Sequence, residues 1–185
     1  GHHLDLQAIE QLRKPGAPVV LTATAQARFA DGRVLSNGQT GVFAGITTLS
    51  IPAFPIASGH FFFQLGEANG YVITLGGKRI FFAGVGEGVP EIQALRDIDV
   101  AFIPMNLPVD RMRPIPAAEC VKTFKPKIVY LNHYDQGYAR WLTNPRGPRP
   151  GGAQDTAATI QAFRDAIQDE PIEFRDGGWY PPLGR

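Results

Sequence analysis

The stretch NGYVITLGGKRIFFAG, residues 69–84, contains two runs of β-forming residues on either side of a glycine pair. Residues 71–75 and 79–83 are rich in β-branched and aromatic side chains, which pack well on a pleated strand. Gly76 and Gly77 can both adopt the positive φ that a two-residue hairpin turn requires. The stretch therefore predicts an antiparallel β-hairpin.

Strand-like and helix-like segments alternate along the rest of the chain. Upstream of the hairpin, the patterns predict a helix at 5–13 and strands at 18–22 and 42–51. Downstream, they predict helices at 90–96, 116–124 and 156–167 and strands at 99–104, 127–131 and 172–174. Such alternation is typical of an α/β layered domain with helices packed on a sheet. We expect a single domain over 1–185, on which residues 144–185 pack as a C-terminal extension.

Composition favours a globular protein and excludes several function classes. The chain has 185 residues, of which 44% are hydrophobic, and 18 Lys plus Arg against 17 Asp plus Glu. Without a basic block we expect no nucleic-acid partner, and without a run of about 20 apolar residues we expect no membrane span. The one cysteine, Cys120, cannot form an intrachain disulfide, so we expect a cytoplasmic protein.

Three of the four histidines stand where elements begin or end. His3 comes just before the first predicted helix, and His133 directly follows the strand at 127–131. His60 lies between the strand ending near Pro52 and the hairpin. Because α/β folds gather functional groups at strand ends and helix starts, we expect these three imidazoles to converge at one edge of the sheet.

Residues 69–84, 98–106 and 124–134 together resemble the metallo-β-lactamase superfamily, especially its lactonase-like branch of metal-dependent hydrolases. The resemblance runs over nearly the whole chain. It implies a four-layer αββα sandwich whose first half is partly missing. It also implies that zinc or another divalent metal activates a water to attack an ester, lactone, amide or phosphodiester in a small-molecule substrate.

The N-terminal residues resemble the end of the family's His-x-His-x-Asp-His motif. On this reading His3 is the last histidine of the motif, and His2 stands where its aspartate belongs. Residues 1–2 are equally interpreted as a remnant of a purification tag. The resemblance also implies that Asp5 contributes to catalysis, although a carboxylate at a helix N-terminus is an ordinary structural feature.

The resemblance assigns metal ligation to three histidines. They are His3, His60 and His133, and His133 is also implied as a catalytic residue. Two structural alternatives remain open: His133 as a strand-end side chain bonded to backbone, and His60 as a loop residue beside the phenylalanines at 61–63.

The family's Gly-Asp-Thr motif is altered in this chain. Val85 occupies the position of its metal-binding aspartate, and a valine side chain has no lone pair for a cation. Glu87, two residues on, starts from a different backbone position and is a poor substitute. An active metallo-hydrolase and a metal-poor binding or assembly module therefore both remain open. A partly missing first half would also leave one side of the sheet to be covered by an upstream segment or a homo-oligomer.

Two other sites are disfavoured. Residues 84–88 follow a strand and precede a helix, as a phosphate-binding loop does, but their spacing is Gly-x-Gly-x-Gly and the helix is short. Cys120 lies on the apolar side of a predicted helix with Val121 and Phe124, which indicates a buried structural thiol rather than a nucleophile.

Overall fold

The computed structural model describes residues 3–54, 56, 64–107, 111–134 and 152–177, the side chains of 152–156 excepted. The helices are α1 (Leu6–Leu12), α2 (Ala23–Gln26), α3 (Pro90–Gln93), α4 (Pro114–Phe124) and α5 (Gly152–Ile167). The strands are β1 (Val20–Leu21), β2 (Arg33–Val34), β3 (Thr40–Phe43), β4 (Ile46–Pro52), β5 (Asn69–Leu75), β6 (Lys78–Phe82), β7 (Val100–Pro104), β8 (Ile128–Asn132) and β9 (Glu173–Phe174).

One seven-stranded sheet, ordered β3-β4-β5-β6-β7-β8-β9, organises the described residues. The strands from β3 to β6 pair antiparallel, whereas those from β6 to β9 pair parallel. The predicted hairpin is confirmed as β5 and β6, with Gly76 at φ 56° and Gly77 at φ 74° in its turn. The α/β class is confirmed with it.

Two strand predictions upstream of the hairpin need correction. The single strand expected over 42–51 is two strands, β3 and β4, joined by a turn at Ala44 and Gly45, which have φ values of 50° and 81°. The strand expected over 18–22 is shorter, because Thr22 accepts a hydrogen bond from Ala25 and caps α2. Its remainder, β1, pairs parallel with β2 in a separate two-stranded sheet.

The core lies between one face of the large sheet and helices α3, α4 and α5. Alternate residues of the central strands are buried on this face, as the two-residue period of a strand requires, and Phe81 of β6 is fully buried. The ring of Phe81 meets that of Phe124 from α4 edge-on, with 5.9 Å between centroids. Phe163 of α5 is also fully buried. Each such ring contributes about 1.5–3 kcal/mol of hydrophobic stabilisation.

The opposite face carries a row of aromatic side chains across neighbouring strands. Tyr71, Phe82, Phe102 and Tyr130 pair in register from β5 to β8. The rings of Phe82 and Phe102 stack at 4.8 Å, and those of Phe102 and Tyr130 at 5.2 Å. No helix within the described residues has both the length and the hydropathy needed to cross a bilayer.

Candidate active site at the strand-end edge

One edge of the large sheet gathers the ends of five strands. The antiparallel pairing of β4 with β5 and of β5 with β6 places the end of β4, the start of β5 and the end of β6 together. The parallel pairing of β6, β7 and β8 brings their C-terminal ends to the same edge. Ligand sites of α/β sheets form at such an edge.

The chain turns sharply after each of the three parallel strands. Gly84 follows β6 with φ 64°, Asn106 follows β7 with φ 55°, and His133 follows β8 with φ 65°. Left-handed backbone is uncommon for residues other than glycine, and it occurs often at functional sites. The half-buried His133 therefore lies at the sheet edge where the sequence placed it.

An open cleft of about 470 Å³ lies at this edge. Its walls include His3 before α1, Val85 after β6 and Tyr71 in β5. Val85 also packs partly against the core. Two positions that the sequence assigned to the site, His3 and Val85, thus line the same cleft, whereas His133 is not among its lining residues.

The convergence of the three predicted histidine ligands stays a prediction. His60 lies outside the described residues, between β4 and β5 in the sequence. Within the described part of the chain, no three side chains of histidine, cysteine, aspartate or glutamate are grouped so that they could hold an ion.

Two carboxylates that lie close in sequence to His3 and Val85 are already engaged by protein donors. Asp5 is exposed and caps α1, where its Oδ1 accepts a hydrogen bond from the backbone N–H of Ala8 at 3.0 Å. The role of Asp5 in catalysis stays a prediction. Glu87 is buried, and its Oε1 lies 2.6 Å from Nη1 of Arg111.

The second oxygen of the Glu87 carboxylate, Oε2, accepts the backbone N–H of Ile56 at 3.0 Å. Both of its oxygens are thereby engaged by protein donors. His3 and His133 carry nitrogen donors of the type that a divalent ion binds, but no three ligand side chains are grouped within the described residues. A two-metal centre with a carboxylate ligand at position 85 does not fit this chain, because valine supplies no donor.

The structure supports neither a phosphate-binding loop at residues 84–88 nor a nucleophilic role for Cys120. In the loop after β6, the N–H of Gly86 donates to the carbonyl of Ala83 at 2.9 Å, so it is not offered to a phosphate. Helix α3, which follows, has four residues. The predicted burial of Cys120 is confirmed, and burial raises the pKa of its thiol to about 12, which favours a structural role over a nucleophilic one.

A polar network beside the cleft was missed at the level of sequence. Asn69, at the start of β5, donates to the hydroxyl of Tyr71 at 3.1 Å and to the carbonyl of Leu35 at 2.8 Å. Its Oδ1 accepts a hydrogen bond from Asn37 at 2.6 Å. Burial raises the pKa of Tyr71 above 10.0, against the smaller, lowering effect of the hydrogen bond from Asn69. The hydroxyl is therefore neutral at physiological pH.

Comparisons with known proteins identify relatives of this chain. No protein-family profile matches the chain. It is 30% identical over 121 residues to a UPF0173 metal-dependent hydrolase of Symbiobacterium thermophilum. That alignment covers 62% of this chain and 48% of the relative, so it spans about half the length of that protein.

Solved structures share the fold over most of the chain. A protein of Parabacteroides distasonis, described as a metal-dependent hydrolase, superposes with a TM-score of 0.75 and 30% identity, over 95% of this chain and 71% of that one. The metallo-β-lactamase fold protein YhfI of Bacillus subtilis has a TM-score of 0.55 and 12% identity, over 86% of this chain and 61% of its own. At 30% identity over 71% of its length, the chain belongs to the same family as the Parabacteroides distasonis protein, and it has the metallo-β-lactamase fold that YhfI shares.

Proposed function

We propose that this chain carries most of the active-site cleft of a metal-dependent hydrolase that acts on a small-molecule ester, lactone, amide or phosphodiester. One observation carries the proposal: His3 and Val85, assigned to the metal site by the family resemblance, line one open cleft beside the strand-end edge where His133 lies. A cleft of about 470 Å³ falls within the range of small-molecule sites.

In this proposal His3, His60 and His133 hold a single divalent ion, zinc in the first instance. Such an ion lowers the pKa of a bound water to about 7 and polarises the scissile oxygen when it is present. Neutral imidazoles provide no charge compensation and Val85 adds no donor, so we expect weak, substoichiometric binding.

The rest of the chain positions these groups. Asp5, which lies two residues after His3, caps α1 and so fixes where that helix begins. The buried ion pair between Glu87 and Arg111 holds the loop that carries Val85. These contacts keep the cleft formed whether or not an ion is bound.

A metal-poor binding or assembly module is the second candidate, and the same residues favour it. Val85 is an apolar side chain in place of a ligand, and the carboxylate two residues further along the chain, Glu87, is engaged by Arg111 and by the N–H of Ile56. A chain that loses metal while keeping its fold retains a shaped cleft that can still bind a ligand.

Metal content separates these two candidates. We would measure zinc and iron in the wild type, in Val85→Asp and in Val85→Asn after dialysis, and assay hydrolysis of nitrophenyl acetate and bis(nitrophenyl) phosphate. Val85→Asn is the matched control, because it has the shape of aspartate without the charge.

The hydrolase proposal predicts substoichiometric metal in the wild type, a clear rise in Val85→Asp and little change in Val85→Asn. Metal in none of the three proteins would favour the binding module. Tight, stoichiometric metal in the wild type would show that the side chain at position 85 is not what limits the site.

A further inference from the structure

We infer that the Tyr71 hydroxyl is a substrate-binding donor that offers its proton to an anionic oxygen, a carboxylate or a phosphate, of the molecule bound in the cleft. The inference deepens the proposed function, since it rests on this cleft being the substrate site. What supports it is a hydrogen-bonded chain of two side-chain amides, which determines whether the tyrosine hydroxyl donates or accepts.

The orientation of Asn69 follows from a backbone carbonyl. The oxygen of Leu35 can only accept hydrogen bonds, and it lies 2.8 Å from the amide nitrogen of Asn69. The nitrogen, not the oxygen, must therefore face Leu35. The same nitrogen lies 3.1 Å from the hydroxyl of Tyr71, so its second hydrogen is donated to that hydroxyl.

A second carbonyl fixes the same orientation independently. The nitrogen of Asn37 lies 3.2 Å from the carbonyl oxygen of Ala68, which makes it a donor, and 2.6 Å from Oδ1 of Asn69. The Oδ1 of Asn69 is thus confirmed as an acceptor. Within the described residues the Oδ1 of Asn37 is buried without a partner, so the two carbonyls, rather than the needs of Asn37, dictate how both amides point.

Tyr71 is consequently held as an acceptor towards Asn69, and its own proton is directed elsewhere. In the part of the chain that the structure describes, Tyr71 makes no other hydrogen bond. Because its side chain lines the cleft and burial keeps it protonated, the hydroxyl is a neutral donor available to a ligand.

A cationic side chain in the cleft wall can complement an anionic acceptor. Arg28 lines the cleft and makes no ion pair within the described residues. Glu67 lines the cleft as well, and one of its carboxylate oxygens accepts the N–H of Gln64 at 2.7 Å. A hydroxyl and a guanidinium on one cleft suit a carboxylate or phosphate oxygen, because hydrogen bonds to charged acceptors are the stronger kind.

The test measures anion binding without hydrolysis, so that it stands apart from the proposed function. Inorganic phosphate and acetate are titrated separately into the whole chain after dialysis against a chelator, with calorimetry or amide NMR shifts as the readout. We expect Tyr71→Phe to bind the preferred anion at least about tenfold more weakly than the wild type. The anion that binds more tightly identifies the ligand source.

Two further variants make the readout specific. Tyr130→Phe removes a hydroxyl from the same aromatic row but outside the cleft lining, and should leave anion affinity unchanged. Asn69→Asp reverses the amide polarity, so the new carboxylate attracts the Tyr71 proton and should weaken binding although the hydroxyl is still present. Because the added charge also repels an anion, the specific readout is that Tyr71→Phe causes no further loss of affinity in the Asn69→Asp background.

The outcomes are decisive in each direction. The inference is overturned if the wild type and Tyr71→Phe bind the anion with equal affinity. It is also overturned if neither protein binds either anion at millimolar concentration. Tyr71-dependent anion binding in a chain that hydrolyses nothing supports the inference while the proposed function fails. Circular dichroism checks folding; if Asn69→Asp does not fold, the comparison of Tyr71→Phe with Tyr130→Phe decides alone.

Discussion

Removing one partner of the Glu87–Arg111 ion pair should destabilise this protein strongly. The side chains are 9% and 5% exposed, and their charged atoms lie 2.6 Å apart. Glu87→Gln leaves the Arg111 guanidinium buried beside a neutral amide, whereas Arg111→Met removes the cationic partner of a carboxylate that keeps the backbone N–H of Ile56 as a donor. Loss of one partner from such a buried pair costs about 3–5 kcal/mol.

That loss is large compared with the whole stability of a domain, about 5–15 kcal/mol. It corresponds to a fall in Tm of about 6–20 °C for a chain of this size. The double variant Glu87→Gln/Arg111→Met should lose less than the two single changes added together, because no buried charge remains unpaired. The difference is the coupling energy of the pair.

Urea unfolding followed by circular dichroism provides the free energies, and an exposed pair on α4 provides the control. Glu119 is 62% exposed in its pair with Lys122, three residues further along the helix. Glu119→Gln should therefore change the free energy of unfolding by no more than about 0.5 kcal/mol. If Glu87→Gln costs as little as Glu119→Gln, the pair is hydrated rather than buried, and it does not hold the loop of Val85 in place.

Three predictions concern titration. Burial raises the pKa of Tyr71 above 10.0, so its stabilising contribution is present below pH 10 and lost as pH rises further; Tyr71→Phe should reduce the alkaline loss of stability in urea unfolding. Lys127 and the backbone N–H of Arg79 lower the pKa of Asp99 to about 2, so its contribution is present above pH 3.8 and lost as pH falls towards 2; Asp99→Asn should flatten that acid limb. Cys120, with its pKa raised to about 12 by burial, should react with a thiol reagent only as fast as the protein opens, and rapidly in denaturant.

Local signals were sufficient for the elements that carry their own turn or cap. The β5–β6 hairpin follows from Gly76 and Gly77, whose φ values are both positive. The turn between β3 and β4 was missed because Ala44 takes φ 50°, a conformation that is not predicted from an alanine in the sequence. The parallel pairing of β1 with β2 depends on contacts between distant residues, and no periodicity within either strand encodes it.

The residues around the candidate site also differ in whether local sequence signals identify them. His3, His133 and Val85 were identifiable because a family motif or a strand end marks each of them. The ion pair of Glu87 was not, because its partner Arg111 lies 24 residues further on and is brought to it by the fold. Tyr71 and Asn69 alternate along β5 as any strand residues do, and only the carbonyls of Leu35 and Ala68 reveal how their polar groups are oriented.

The cost of the amide network supports the inference that the cleft binds a ligand. Buried polar groups need partners, and an oxygen left without one costs about 1–3 kcal/mol. Within the described residues Asn37 has such an oxygen, whereas an apolar side chain there would avoid the cost. Stability therefore gives little reason to maintain the chain from Asn37 through Asn69 to Tyr71. Recognition of a ligand oxygen gives one, because Asn69 makes the tyrosine hydroxyl an acceptor and leaves its proton for another partner before any ligand arrives.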